Sequence, residues 1–244
     1  MTSEPTGPAV VLTAVATEAR IVTRQLEAES VERTPFWHSA GRIDRREVVV
    51  VRMGVGPARA MRATAWAIDT FAPSHLLVCG FAGGLDPTLR MGTVLQPHEV
   101  HRQGKPPIPL ANLGPTSGAT TILSRDELAE TPSEKEDLFR RSGCQAVDME
   151  TYEVASVAAE HQITPYVIRA ISDDAHTSLD RRFMRLVDSS GDVRPGKVVT
   201  LLLSNPTSVM GLMRLGRDAT IASDALWASL RHTLERLSRR PRAP

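Results

Sequence analysis

Apolar residues fall in short continuous runs, separated by polar stretches in which the hydrophobic positions recur at helical spacing. VVLTAVA (10–16), EVVVVRM (47–53) and HLLVCG (75–80) have the length and composition of strands buried on both faces. YVIRAISD (166–173) reads the same way, AVDM (146–149) is a shorter strand, and MGTVLQ (91–96) continues the sheet. Between them, Thr17 and Glu18 fit the cap and first turn of a helix carrying Ala19, Val22 and Leu26. GVGP (54–57) breaks the second strand, and Pro57 suits the first turn of a helix that runs to about Phe71. Further helices are expected over 133–141 and over METYEVASVAAEHQ (149–162). GFAGGLD (80–86) reads as a glycine-rich turn, and the Pro- and Gly-rich stretch 97–120 as a long surface excursion.

Strands alternating with helices predict an α/β fold, with a mixed, largely parallel central sheet flanked by helices on both faces. The body spans 9–196. The segment 197–244 is expected as a helical C-terminal extension of the same domain, with apolar positions at 226, 230, 234 and 237.

Composition narrows the classes. At 244 residues and 41% hydrophobic, the chain can bury a large core, and disorder is excluded for most of it. A net charge of +1 argues against a nucleic-acid partner, which would call for a basic footprint. The total conceals a division, because residues 214–244 hold seven Arg against three acidic residues and so leave the body negative. That basic segment, with Leu226, Trp227 and Leu230, has two readings: a peripheral contact with anionic lipid at the inner membrane, or a helix packed on the body. Cys79 and Cys144 lie in apolar runs and read as buried free thiols. The start, MTSEPTGPAV, has neither a basic nor an apolar signal-peptide region, so a cytoplasmic protein is expected.

Four features follow strands: Glu18, GFAGGLD, VDME (147–150) and RAISDD (169–174). In open α/β sheets ligands bind beyond the carboxyl ends of the strands, so these can converge on one crevice. GFAGGLD lacks the spacing of a dinucleotide-binding loop, and GVG (54–56) is too short to count. His98 and His101 have no third partner in a metal-ligand pattern, so no metal is expected.

Taken in order, the acidic motif after the first strand, GFAGGL, VDME and RAISD resemble the nucleoside phosphorylase and nucleosidase superfamily. ATEARI (16–21), GFAGGLDPTLRMG (80–92) and the tail LLLSNPTSVMGLMRLGRDA (201–219) are similar to its hopanoid-associated branch, the adenosylhopane nucleosidases. The resemblance implies cleavage of the bond between ribose and a purine, through a transition state with oxocarbenium character. It implies two catalytic groups, Asp173 protonating the leaving base and Glu18 positioning the water. It places Glu150 on the ribose hydroxyls, Met149 against the sugar and Asp148 in support. Gly80, Phe81 and Ala82 would line the pocket, and Ser172 would orient the Asp173 carboxyl. Arg169 would brace the carboxylates, whereas Arg20 and Arg59 read as solvated. Phe81 stands where many relatives carry a hydroxyl, which favours hydrolysis over phosphorolysis.

The expected reaction is therefore release of adenine from adenosylhopane, a lipid-linked nucleoside, by a homo-oligomer. No cofactor is implied, and phosphate is possible only as co-substrate. The alternatives are a methylthioadenosine/adenosylhomocysteine nucleosidase, a purine nucleoside phosphorylase, or a nucleoside-binding protein without turnover.

Overall fold

The computed structural model describes residues 7–33, 35–44, 46–113, 120–178 and 208–239. The chain runs β1 (Ala9–Thr13), α1 (Ala16–Thr23), β2 (Glu27–Glu32), β3 (His38–Ile43), β4 (Arg46–Arg52), α2 (Pro57–Phe71) and β5 (His75–Gly84). It continues through β6 (Val94–Leu95), β7 (Glu99–His101), β8 (Ile108–Pro109), β9 (Thr121–Ser124), α3 (Pro132–Ser142), β10 (Ala146–Asp148), α4 (Thr151–Glu160), β11 (Tyr166–Asp173) and α5 (Ser208–Arg239). One sheet forms in the order β2-β3-β4-β1-β5-β10-β9-β7-β8, with β11 beside β5 and carrying β6. The pairings among β4, β1, β5 and β11 are parallel, while β2, β3 and β4 pair antiparallel at one edge.

Alternation within the Val-rich strands builds two cores. Val10, Leu12, Val49, Val51, Leu76 and Val78 face α2 and α4. Ala9, Val11, Val48, Val50, Leu77 and Cys79 face α1 and α5. Because both faces are covered, these strands carry no polar alternation, and for the same reason they are recognisable as apolar runs.

α2 begins at Pro57, preceded by Gly56 at φ 97°, and ends where Ala72 turns left-handed. Its buried residues, Ala60, Ala63, Thr64, Ala67 and Ile68, form one stripe at helical spacing.

Several local expectations are corrected. GFAGG is strand rather than turn: β11 pairs with β5 as far as Gly83, and Gly83 and Gly84 pair with β10. Val15 rather than Thr17 occupies the cap position of α1, and the helix stops at Thr23, before Leu26. The 97–120 stretch is not all surface, since β7 and β8 lie within it and β7 pairs with β9. β2, EAESVE, is missed by the sequence because its residues are polar, as an edge strand permits.

α5 packs on the sheet through Ala222, Leu226, Leu230, Leu234 and Leu237, all buried, with Trp227 half-buried against the same core. The Gln96 amide donates to Ser229 Oγ at 3.1 Å and Thr233 Oγ at 3.2 Å, fastening the helix to the loop after β6. Leu226 and Leu230, which a lipid contact would have used, are inside the protein, and Trp227 is covered in part, as the packed-helix reading expects. Among the described residues no helix is long and apolar enough to cross a membrane. The tail residues 201–207 that entered the branch resemblance lie outside the described residues.

Replacing Leu230 by Ala should cost about 2–5 kcal/mol, the usual range for emptying a fully buried leucine site. Urea unfolding checks this, and a loss below about 1 kcal/mol would mean that α5 does not complete the core.

Candidate active site

The strands β1, β5, β10 and β11, with α3 beside them, bring four acidic groups and two cations into buried positions. Glu18, Lys135, Asp148, Glu150, Arg169 and Asp173 are all buried. A buried ion without a partner costs several kcal/mol, so each charge must be accounted for by a neighbour.

Glu18 sits at the third residue of α1. Its Oε2 accepts from the Ala14 N–H at 2.7 Å and the Val15 N–H at 3.1 Å, and its Oε1 accepts from the Phe81 N–H at 2.8 Å. Only half of a capping box is present, because Val15 has no side-chain acceptor to return. Burial pushes the Glu18 carboxyl upward, while the Arg169 charge and these backbone donors pull it back.

Asp148, at the end of β10, accepts from Ser124 Oγ, Thr151 Oγ and Arg169 Nη2, the last at 2.5 Å. Arg169 also donates to Thr151 Oγ at 3.0 Å. The expected bracing role of Arg169 is therefore what its geometry provides. Asp148 is committed to this inner network, and it supports the site by holding Arg169.

Glu150 precedes α4 and reaches across to the loop before α2, where its Oε1 accepts from the Gly56 N–H at 2.9 Å. Burial, followed by repulsion from Asp148, pushes its carboxyl from the ordinary 4.5 up to about 7, against the pull of Arg169 and the Gly56 donor. Met149 beside it is half-buried.

Asp173 closes β11. Ser172 Oγ donates to its Oδ1 at 2.6 Å, as the sequence predicts, and Lys135 Nζ donates to its Oδ2 at 2.6 Å. Burial raises its carboxyl and Lys135 opposes that rise. Asp174 has a different environment: burial raises it less than the Thr177 hydroxyl and His176 N–H lower it, so it caps a turn.

Two glycines of β5 make room for this chemistry. A Cβ on Gly80 would lie 2.5 Å from Glu18 Oε1 and 2.6 Å from Arg169 Nη1, and one on Gly83 would lie 3.2 Å from Asp173 Oδ2. Neighbouring Ala82 is buried, and its carbonyl lies 3.3 Å from Ser172 Oγ. The Phe81 ring packs on the α1–α5 core, so its described contribution to the site is its N–H.

Arg20 is exposed and Arg59 half-buried. His98 Nδ1 lies 2.7 Å from the Thr120 carbonyl, and His101 Nε2 lies 2.8 Å from Glu99. Cys79 and Cys144 are free and buried, and burial pushes the Cys79 thiol far above its ordinary range.

The sequence missed Lys135, Ser124, Thr151 and the Gly56 donor. The signal for Lys135 was faint: it stands one turn into a charged helix, where a lysine ordinarily faces water.

The family model of the Phosphorylase superfamily matches residues 8–115 and 109–204. The chain belongs to that superfamily. Among curated phosphorylase-superfamily relatives, the 5'-methylthioadenosine/S-adenosylhomocysteine nucleosidase of Bacillus subtilis is 26% identical over 208 residues, covering 70% of this chain and 89% of that protein. The enzyme of that name from Colwellia psychrerythraea is 33% identical over 91 residues, which span 37% of each chain. The crystal structure of the Colwellia nucleosidase with adenine superposes with a TM-score of 0.63 at 21% identity, covering 70% of this chain and 84% of that one. That likeness establishes the same fold.

Gly80→Ala should lower stability by about 1–3 kcal/mol, because the methyl meets two buried charged groups rather than a flexible chain end. A melting temperature equal to that of the unsubstituted protein would show the cluster to be looser than these distances say.

The Glu150 environment also fixes a pH dependence. A carboxyl that holds its proton more tightly folded than unfolded adds stability fully at low pH. That contribution is lost as pH rises from the ordinary carboxylate range through about 7. The melting temperature should therefore fall between pH 5 and 8, and Glu150→Gln should flatten the fall; parallel curves for the two proteins would contradict this assignment.

Proposed function

We propose that the protein is a nucleosidase that hydrolyses the N-glycosidic bond of 5'-substituted adenine nucleosides. The observation that carries this reading is Asp173, a buried carboxyl that burial raises and whose two oxygens accept from Ser172 and Lys135. A carboxyl that retains its proton toward neutral pH can donate it to a leaving purine. Glu150 would bind the ribose hydroxyls, and in its ionised form it would favour the positive charge that develops on the sugar. Met149 would lie against the sugar. Glu18 would hold the attacking water.

Hydrolysis is favoured over phosphorolysis by the place of the Glu18 carboxylate. Its oxygens accept from three backbone N–H groups, donors that would otherwise suit an anion. Arg169 is engaged by Asp148 and Thr151. An incoming phosphate would meet a negative group there rather than an open cradle.

For the 5' group, the names of the curated relatives favour the small thio-substituted adenosines over adenosylhopane. Adenosylhopane rests on the sequence resemblance of 16–21, 80–92 and the tail.

Purified protein incubated with methylthioadenosine, adenosylhomocysteine, adenosine and adenosylhopane, each with and without phosphate, should release adenine from the first two without needing phosphate. Asp173→Asn should lower kcat by about 100-fold or more while leaving adenine binding in place. Turnover of adenosylhopane alone would move the protein to the hopanoid branch. A sugar phosphate as product would make it a phosphorylase, and binding without release would make it a nucleoside-binding protein.

A further inference from the structure

α3 is a charged helix whose buried residue is a lysine. Lys135 Nζ donates to Asp173 Oδ2 at 2.6 Å, to the Asp174 carbonyl at 2.7 Å and to the Thr177 carbonyl at 2.9 Å. An ammonium has three donors, and here all three are used. Leu138 and Phe139 of the same helix pack on a small core with Leu85, Leu123 and Val147, which fixes where the lysine stem enters. Thr131 caps the helix by accepting from the Glu134 N–H, and Glu134 in turn pairs with Arg125 at 2.6 Å. The helix is thus anchored on both sides of the lysine.

We propose that Lys135 is the positioning residue for Asp173: its ammonium, fixed by three acceptors, sets the direction in which the carboxyl points. The proposal rests on the nucleosidase reading for its role in turnover, and on geometry alone for the pairing. The charged groups facing Asp173 are Lys135 from α3 and Asp174 beside it, with His176 beyond Asp174. From β5 it faces Gly83, which carries no charge.

The chemistry requires a compromise. Burial alone would leave an acid that holds its proton too tightly, and a fully exposed carboxyl would lose it too readily. The ammonium offsets part of the burial effect. As the C1'–N9 bond breaks, its electron pair passes to the purine, which takes the Asp173 proton at N7. Water adds its oxygen to C1', and the proton that water releases restores the Asp173 carboxyl.

The test compares Lys135→Met, Lys135→Arg, Asp173→Asn and the double variant Lys135→Met/Asp173→Asn. Lys135→Met should lower kcat by about 10–100-fold with KM little changed, as a misdirected acid would. Its alkaline limb of kcat should move upward by about one pH unit, because the neighbouring positive charge is gone. Lys135→Arg should keep that limb near its original position. In thermal unfolding, Asp173→Asn alone strands a buried ammonium, so adding Lys135→Met should raise the melting temperature of that variant. An unmoved alkaline limb in Lys135→Met overturns the proposal, as do additive melting shifts in the cycle. If Lys135→Met does not fold, the melting of the double variant against Asp173→Asn decides. If the unsubstituted protein turns over none of the nucleosides, the nucleosidase reading fails, and the melting cycle still decides the pairing.

Discussion

A single guanidinium, that of Arg169, holds the negative side of the site together. It is buried in the middle of β11, bound to Asp148 and Thr151, with Glu18 and Glu150 close enough for their charges to act on it. Three carboxyl groups around one fixed positive charge cannot all ionise cheaply in a medium of low polarity. The excess negative charge must be relieved by protonation. Glu150 is where that pressure is expressed, because Asp148 is the group locked to the arginine. Burial first, and then the Asp148 charge, raise the proton affinity of Glu150 against the pull of Arg169.

Asp173 belongs to a second, separate arrangement. Its counter-charge comes from α3, a helix inserted between β9 and β10, and not from the sheet. The two ion pairs, Arg169 with Asp148 and Lys135 with Asp173, approach the ends of the strands from different layers. This separation allows Glu150 and Asp173 to be tuned independently, although both lie at the ends of strands around β5. Gly80 and Gly83 on β5 supply the room for the two arrangements, each leaving empty the space that a side chain would fill beside a carboxylate.

The C-terminal helix shows why charge along the chain does not indicate surface use. The segment that carries the positive excess also carries five buried apolar residues, which complete the core beneath α1 and β11. Arg231 is exposed on a helix whose other side is committed to the sheet. The helix thus belongs to the fold that supports the site.

Alone, the sequence determined the sheet core, the boundaries of α2, and the four chain positions where acidic chemistry gathers. Strands covered on both faces leave uninterrupted apolar runs, and a proline and a left-handed cap punctuate a helix locally, so these features are written in neighbouring residues. It did not show the strands β2, β7 and β8, which are polar or only two or three residues long, nor that GFAGG extends β5. Nor did it show that Lys135 reaches Asp173, 38 positions away in the chain. Only the tertiary structure decided which carboxylates are held by cations and which are left to protonate. That outcome depends on burial and on distances between residues far apart in sequence, which no local pattern encodes.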